Sequence, residues 1–294
     1  MWQGEFVKEY RSTDQLLDLL EHERGLAIRD REFATQVLRR TNYYRFTGYS
    51  RHYQVDPRRG DNRYHRSATF EDIYSLMLRD DELRIRLLVP LSELEQSART
   101  RLAHLAGREF GEAAFYLDTS SHVSDGVDVT RRIARVRKDL QESQHKTIQH
   151  YRKGEDVSGV PIWVAVEALS FGKISWLLES LDSSAIRAEL ADFYSYPRAT
   201  FPRVMQSLSA LRNLCAHHGQ VWNRYLTAQC PLPLNKRERP RGVNFDPQGL
   251  YPALLALSKL SKMPASRSQL AAIQRMVMAG GDYSQGVMSP EGVR

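Results

Sequence analysis

Cysteine is nearly absent from this chain: Cys215 and Cys230 are the only two in 294 residues. Two thiols exclude a disulfide framework and a four-thiolate zinc site, and read as buried or incidental. Long apolar runs are absent too. No stretch approaches the roughly 20 residues needed to span a bilayer, and Met1-Trp2-Gln3-Gly4-Glu5-Phe6 lacks the basic-then-apolar order of a secretory signal. The expected location is the cytoplasm, with no membrane partner. There is no nucleotide-binding motif, no repeated unit, and no convincing alternation of the kind that marks strands. The acidic run Asp80-Asp81-Glu82 does not read as a metal site, because consecutive acids on a helix point in different directions. Neither a metal nor another cofactor is expected.

What is present is a soluble, globular composition, 41% hydrophobic and 26% charged, with a net charge of +7 that is unevenly spread. From Arg39 to Arg66, eight arginines face only Asp56 and Asp61; from Arg131 to Lys153, eight basic residues face only Asp139 and Glu142. The remainder is slightly acidic. Two basic tracts on such a chain suggest a polyanion, and nucleic acid is the commonest; two solvated helix faces are the alternative. The first tract interleaves aromatic residues, so Tyr43, Tyr44, Arg45, Arg51, Arg58 and Arg59 are candidates for stacking on RNA bases and holding phosphates. The same Tyr/Phe spacing also suits packing between helices. Arg131, Arg135 and Lys138 are the candidates in the second tract.

Helical periodicity dominates. Ser12 and Asp30 cap two short helices, Asp56-Pro57-Arg58-Arg59-Gly60-Asp61-Asn62 reads as a turn, and Thr69 with Asp72 resembles a capping box. A long helical region follows, which Pro90 is expected to bend or interrupt. Beyond it, Leu91, Leu94, Ala98, Leu102 and Leu105 carry the apolar stripe, with the pair Glu95 and Arg99 read as surface support. The second basic tract reads as one amphipathic helix, and Ile162 to Leu178 as the most apolar segment. Further helices start near Ser183 and Pro202, and two close the chain over Leu250–Leu260 and Ser268–Met278. Lys236 to Gly242 reads as an extended basic loop, and the last dozen residues as disordered. The expected fold is all-α: an N-terminal helical module over 1–66, a helical core over 67–228, and a basic loop with C-terminal helices and a disordered tail over 229–294.

The helix from Pro202 carries Leu211-Arg212-Asn213-Leu214-Cys215-Ala216-His217-His218-Gly219-Gln220-Val221-Trp222-Asn223-Arg224. At about 100° per residue, Leu211, Cys215, His218 and Trp222 fall on a buried stripe, while Asn213, His217 and Arg224 face the opposite way. Arg212 lies about 140° from His217, so a straight helix does not bring them together. Either the arginine wraps around, or the helix is distorted before Gly219, or a second chain completes the site; the last needs no strain and is preferred. The groups suit metal-independent RNA cleavage. Attack of the 2′-OH on phosphorus needs proton transfer, which an imidazole performs, and stabilisation of a phosphorane, which a guanidinium performs. His217 and Arg212 are the catalytic candidates; Asn213, His218, Asn223 and Arg224 are supporting candidates.

Arg212-Asn213-x-x-Ala216-His217 resembles the arginine–histidine signature of HEPN-domain ribonucleases. With Trp222-Asn223-Arg224, Asn42-Tyr43-Tyr44-Arg45-Phe46-Thr47-Gly48-Tyr49, Thr69-Phe70-Glu71-Asp72 with Leu83-Arg84, and Phe171-Gly172-Lys173-Ile174, the chain more narrowly resembles the Abi-like (AbiD/AbiF) abortive-infection proteins of bacteria. The resemblance implies a HEPN-type helical bundle, a homodimer with a composite site, metal-independent RNA cleavage by Arg212 and His217, and an antiphage or toxin role. Some relatives are associated with a small noncoding RNA. The alternative is a non-catalytic HEPN scaffold that binds RNA.

Overall fold

A computed structural model describes residues 9–65, 67–111, 114–123, 129–232 and 242–291. The expectations for the first six residues, for Arg66, for the end of the 119–128 loop and for Lys236 to Arg241 lie outside the described residues. The fold is all-α, with one short hairpin among the described residues. The chain divides into two compact units, Met1–Glu82 and Leu83–Arg294.

The first unit holds α1 (Thr13–Asp18), α2 (Arg31–Arg40), α3 (Tyr43–Ser50), strands β1 (Gln54–Asp56) and β2 (Asp61–Tyr64), and the start of α4 (Phe70–Phe110). Both expected caps are made: the Ser12 hydroxyl accepts from the Gln15 amide, and the Asp30 carboxylate from that of Phe33. The hairpin corrects the expectation of no strands. The predicted turn lets β1 and β2 pair antiparallel, Gln54 opposite Tyr64, in a ladder too short to show alternation. Apolar burial of Leu17, Leu20, Val37, Phe46 and Ile73 forms the core, with Phe46 stacked on Phe70 at 4.4 Å. The acidic run serves this packing. Asp80 is buried and accepts from the Tyr49 hydroxyl at 2.5 Å, while Asp81 pairs with Arg45 at 2.8 Å.

In the second unit, the rest of α4 runs through Pro90 without interruption. Leu83, Leu87, Leu91 and Leu94 are buried on either side of the proline; tertiary packing of that stripe outweighs the hydrogen bond that proline withholds. The second basic tract is two helices, α5 (Val129–Glu142) and α6 (Lys146–Tyr151), rather than one. The apolar segment is likewise split into α7 (Ile162–Ala165) and α8 (Phe171–Ser180), the latter capped by Ser170. Then come α9 (Ser184–Phe193), α10 (Phe201–Ala216), α11 (Tyr251–Leu260), α12 (Pro264–Met278) and α13 (Gly281–Met288). Helix α10 packs on α8 and α11. The disordered tail is corrected through residue 288: α13 buries Tyr283, Val287 and Met288, enough apolar surface to order a short helix. Among the described residues, no helix is long and apolar enough to cross a membrane.

Candidate functional site

Helix α10 starts with Pro202 in its first turn, where the missing amide is harmless, and buries Val204, Leu208, Leu211 and Cys215. It stops at Ala216, six residues before Trp222, so the expectation of one helical wheel through Arg224 fails. The stop is a Schellman turn. His217 caps the helix at φ −92°, His218 donates its amide to the Cys215 carbonyl, and Gly219 donates back to Leu214 at 2.9 Å. His218 takes the left-handed position at φ 55°, usually reserved for glycine. It is exposed, not on the buried stripe, because the helix has ended before it. A Cβ at Gly219 would lie 2.4 Å from Leu214 Cδ1, so the Leu214 side chain would have to shift to admit one.

His217 is exposed at this helix end, its amide bonded to the Asn213 carbonyl at 3.0 Å. Arg212, one turn earlier, points to α4. Its Nε lies 2.8 Å from Glu95 Oε2, its Nη2 donates to Oε1 at 3.3 Å, and its Nη1 donates to the Asn213 side chain at 3.1 Å. This side-on pairing fixes the guanidinium plane and leaves part of its N–H set to the groove. Among the described residues, no hydrogen bond joins Arg212 to His217.

Glu95 is the residue the sequence reading misplaced. It is 5% exposed rather than a surface partner, and it also accepts from Arg99 at 2.5 Å. Arg99 in turn donates to the Val166 and Glu167 carbonyls. A signal existed: Glu95 follows Leu91 by four residues and precedes Ala98 by three, which puts it on the buried stripe. The groove beside this cluster, about 490 Å³, is lined by Ser92, Glu95, Gln96, Arg99, Thr100, Glu167 and Arg212. Two acids and two arginines make its lining formally neutral. An anion there would be held by directed N–H bonds from Arg212 rather than by net field.

The remaining candidates separate by role. Arg224 is exposed, whereas Asn223 sits at φ 54° with its side chain accepting from the Glu291 amide. Tyr43 is tied to Arg24 at 3.1 Å, and burial raises its phenol's pKa. Arg45 is paired with Asp81, and Arg51 reaches the Pro57 carbonyl. Tyr44, 62% exposed, and Arg58 and Arg59 on the hairpin turn present themselves to solvent. Thus most of the aromatic pattern is packing, with Tyr44 the clear exception. Arg131, Arg135 and Lys138 are exposed on α5 opposite the buried Ile133, Val136 and Leu140.

Both thiols are buried. Burial pushes the Cys230 thiol up to about 12, so it stays protonated at neutral pH and is a poor nucleophile. In native protein at pH 8, Cys230 should resist iodoacetamide, and denaturant should release it; rapid native labelling of that residue by peptide mapping would contradict its placement.

Comparison with known proteins adds one result. No curated protein and no solved structure matches the chain. The family model described as Abi-like protein matches residues 36–223. That range holds the hairpin, all of α4, the Glu95 cluster and all of α10, and runs on to Asn223, well over half the sequence. The chain belongs to the Abi-like protein family.

Proposed function

We propose that this protein is a metal-independent endoribonuclease of bacterial phage defence. Family membership suggests a part in abortive infection; the cleavage chemistry is inferred from the end of α10. The observation that carries the reading is the pairing of a buried carboxylate with Arg212 in a polar groove, close in sequence to the solvent-facing His217. A guanidinium oriented in this way offers its remaining N–H groups to a phosphodiester at a fixed angle. A base takes the proton of the ribose 2′-OH, whose oxygen attacks phosphorus as the P–O5′ bond breaks and the leaving oxygen gains a proton. The products are a 2′,3′-cyclic phosphate and a 5′-hydroxyl. Imidazole performs such transfers, and Arg212 would stabilise the added charge on the phosphorane. DNA lacks the 2′-OH and should be spared. Tyr44, Arg58 and Arg59, and the α5 residues Arg131, Arg135 and Lys138, would hold the RNA backbone.

Arg212 turns to α4 while His217 sits at the helix end, which favours a homodimer in which Arg212 of one copy works with His217 of the other. Mixing tests this directly. Arg212→Ala and His217→Ala proteins, each inactive, should regain cleavage after subunit exchange, because the mixed dimer holds one site with both groups intact. If each variant is inactive and the mixture stays inactive while mixed dimers are demonstrably present, the two groups act within one chain.

One observation favours a second reading, a non-catalytic scaffold that binds RNA, such as a small noncoding RNA: Arg212 is largely consumed by Glu95 and Asn213. Salt-dependent RNA binding without cleavage would select it.

A further inference from the structure

The loop after α10 has little structure of its own. Between Gly219 and Tyr225 there is no regular element, and Asn223 adopts a left-handed conformation, which asparagine tolerates better than most residues other than glycine. Something outside must hold it. On the α10 side, Arg84 donates to the Gly219 carbonyl at 3.4 Å and Gln220 to that of Trp222 at 3.1 Å. The Tyr225 hydroxyl lies 2.9 Å from Asp246 Oδ2, and further hold comes from the last described residues of the chain. The Trp222 indole donates to the Tyr283 carbonyl at 3.0 Å, and the Asn223 amide to the Gly286 carbonyl at 3.1 Å. The Glu291 amide returns a bond to Asn223 Oδ1 at 2.7 Å, and the Tyr225 hydroxyl reaches the Pro290 carbonyl at 2.8 Å.

Packing seals the same contact. Trp222 is fully buried, and a Cβ on Gly286 would lie 2.3 Å from its Cε2 and 2.4 Å from its Nε1. Gly286 is helical and outside the positive-φ set, so what it supplies is room for the indole rather than a special conformation. The family match ends at Asn223, whereas every residue on the far side of this clasp lies beyond it. The last matched residues are therefore locked by a segment outside the matched region.

We propose that Gly281–Glu291 is a positioning element of the cleavage site: by clasping Trp222 and Asn223 it fixes the turn that presents His217. The proposal rests on the ribonuclease reading for its activity consequence, but not for its structural one. With the clasp in place, the Schellman turn is anchored at both ends, by α10 before it and by Trp222 after it. With the clasp opened, the loop loses the bonds to Tyr283, Gly286, Pro290 and Glu291, and the His217 ring samples other placements. Misplacing a proton-transfer group by about 1 Å is enough to lower a rate by about a hundredfold.

The test uses full-length protein with Gly286→Ala, which crowds the indole, and Asn223→Gly, which keeps the left-handed backbone but deletes the bond from Glu291. Leu190→Ala, a core truncation in α9, serves as a stability control. Three readouts are taken: thermal midpoint, kcat and KM for RNA cleavage, and the NMR signal of the His217 ring. Gly286→Ala should lower kcat at least about tenfold with KM little changed, and shift or broaden the His217 signal. Asn223→Gly should do the same by a few-fold, and it decides the matter if Gly286→Ala does not fold. Equal loss of kcat in a Leu190→Ala protein of equal midpoint, or a His217 signal identical to wild type in both clasp variants, overturns the proposal. Wild-type protein that never cuts RNA would sink the ribonuclease reading instead, and the His217 signal would still decide the clasp.

Discussion

Replacing Glu95 with glutamine is expected to lower both stability and cleavage, and the size of each follows from the geometry. The Glu95 side chain is 7% exposed, and its carboxylate faces two guanidinium groups, Arg99 at 2.5 Å and Arg212 at 2.8 Å. Removing one member of a buried ion cluster leaves the other charges uncompensated, which costs about 3–5 kcal/mol when all are dry. Here the Arg99 and Arg212 side chains retain 18% and 30% exposure. Water offsets part of the loss, and about 2 kcal/mol is the expected figure from chemical denaturation. Cleavage should fall further than stability, about a hundredfold in kcat for protein that is still folded, because the Arg212 plane is no longer set. Glu95→Asp should recover part of both. A Glu95→Gln protein with wild-type kcat would mean that Arg212 needs no carboxylate to do its work, or does no work.

His217→Ala should separate the two effects. The ring is exposed, and the helix is capped by the residue's main chain through the bond to Asn213, which alanine keeps. Unfolding free energy should therefore change by less than about 0.5 kcal/mol. Loss of a proton-transfer group should lower the cleavage rate by about 10² to 10⁴. The neighbouring imidazole is the internal control. His218→Gly places glycine at a left-handed position, φ 55°, that suits it, and should leave cleavage near the wild-type rate. If His218→Gly is dead and His217→Ala active, the roles of the two histidines are reversed.

The separation of these histidines shows how far the sequence could be read. The buried stripe of α10 was legible from apolar spacing as far as Cys215. Beyond it apolar spacing alone extends the wheel past Gly219, and that glycine is the local sign that the helix has already turned. The capping residues Ser12 and Asp30, the turn at Asp56–Asn62 and the polar exposure of His217 were legible because each depends on neighbours within a few residues. The pairing of Glu95 with Arg212, 117 positions apart, was not, since helix spacing relates Glu95 only to residues such as Arg99. The clasp on Trp222 was hidden for the same reason: Gly286 looks like a loop residue until the indole it accommodates is placed against it. Of the aromatic tract, spacing could not tell Tyr44, which faces solvent, from Phe46 and Tyr49, which fill the core.

The most direct test of the central claim is the chemistry of the RNA ends. Purified protein incubated with single-stranded RNA in excess chelator should produce fragments ending in a 2′,3′-cyclic phosphate, or the 3′-phosphate it hydrolyses to, opposite 5′-hydroxyl ends. Substrate with a 2′-deoxy sugar at the cleaved position should be left whole. Ends bearing a 3′-hydroxyl and a 5′-phosphate, or cleavage abolished by the chelator, would contradict the 2′-OH route and the roles given to Arg212 and His217.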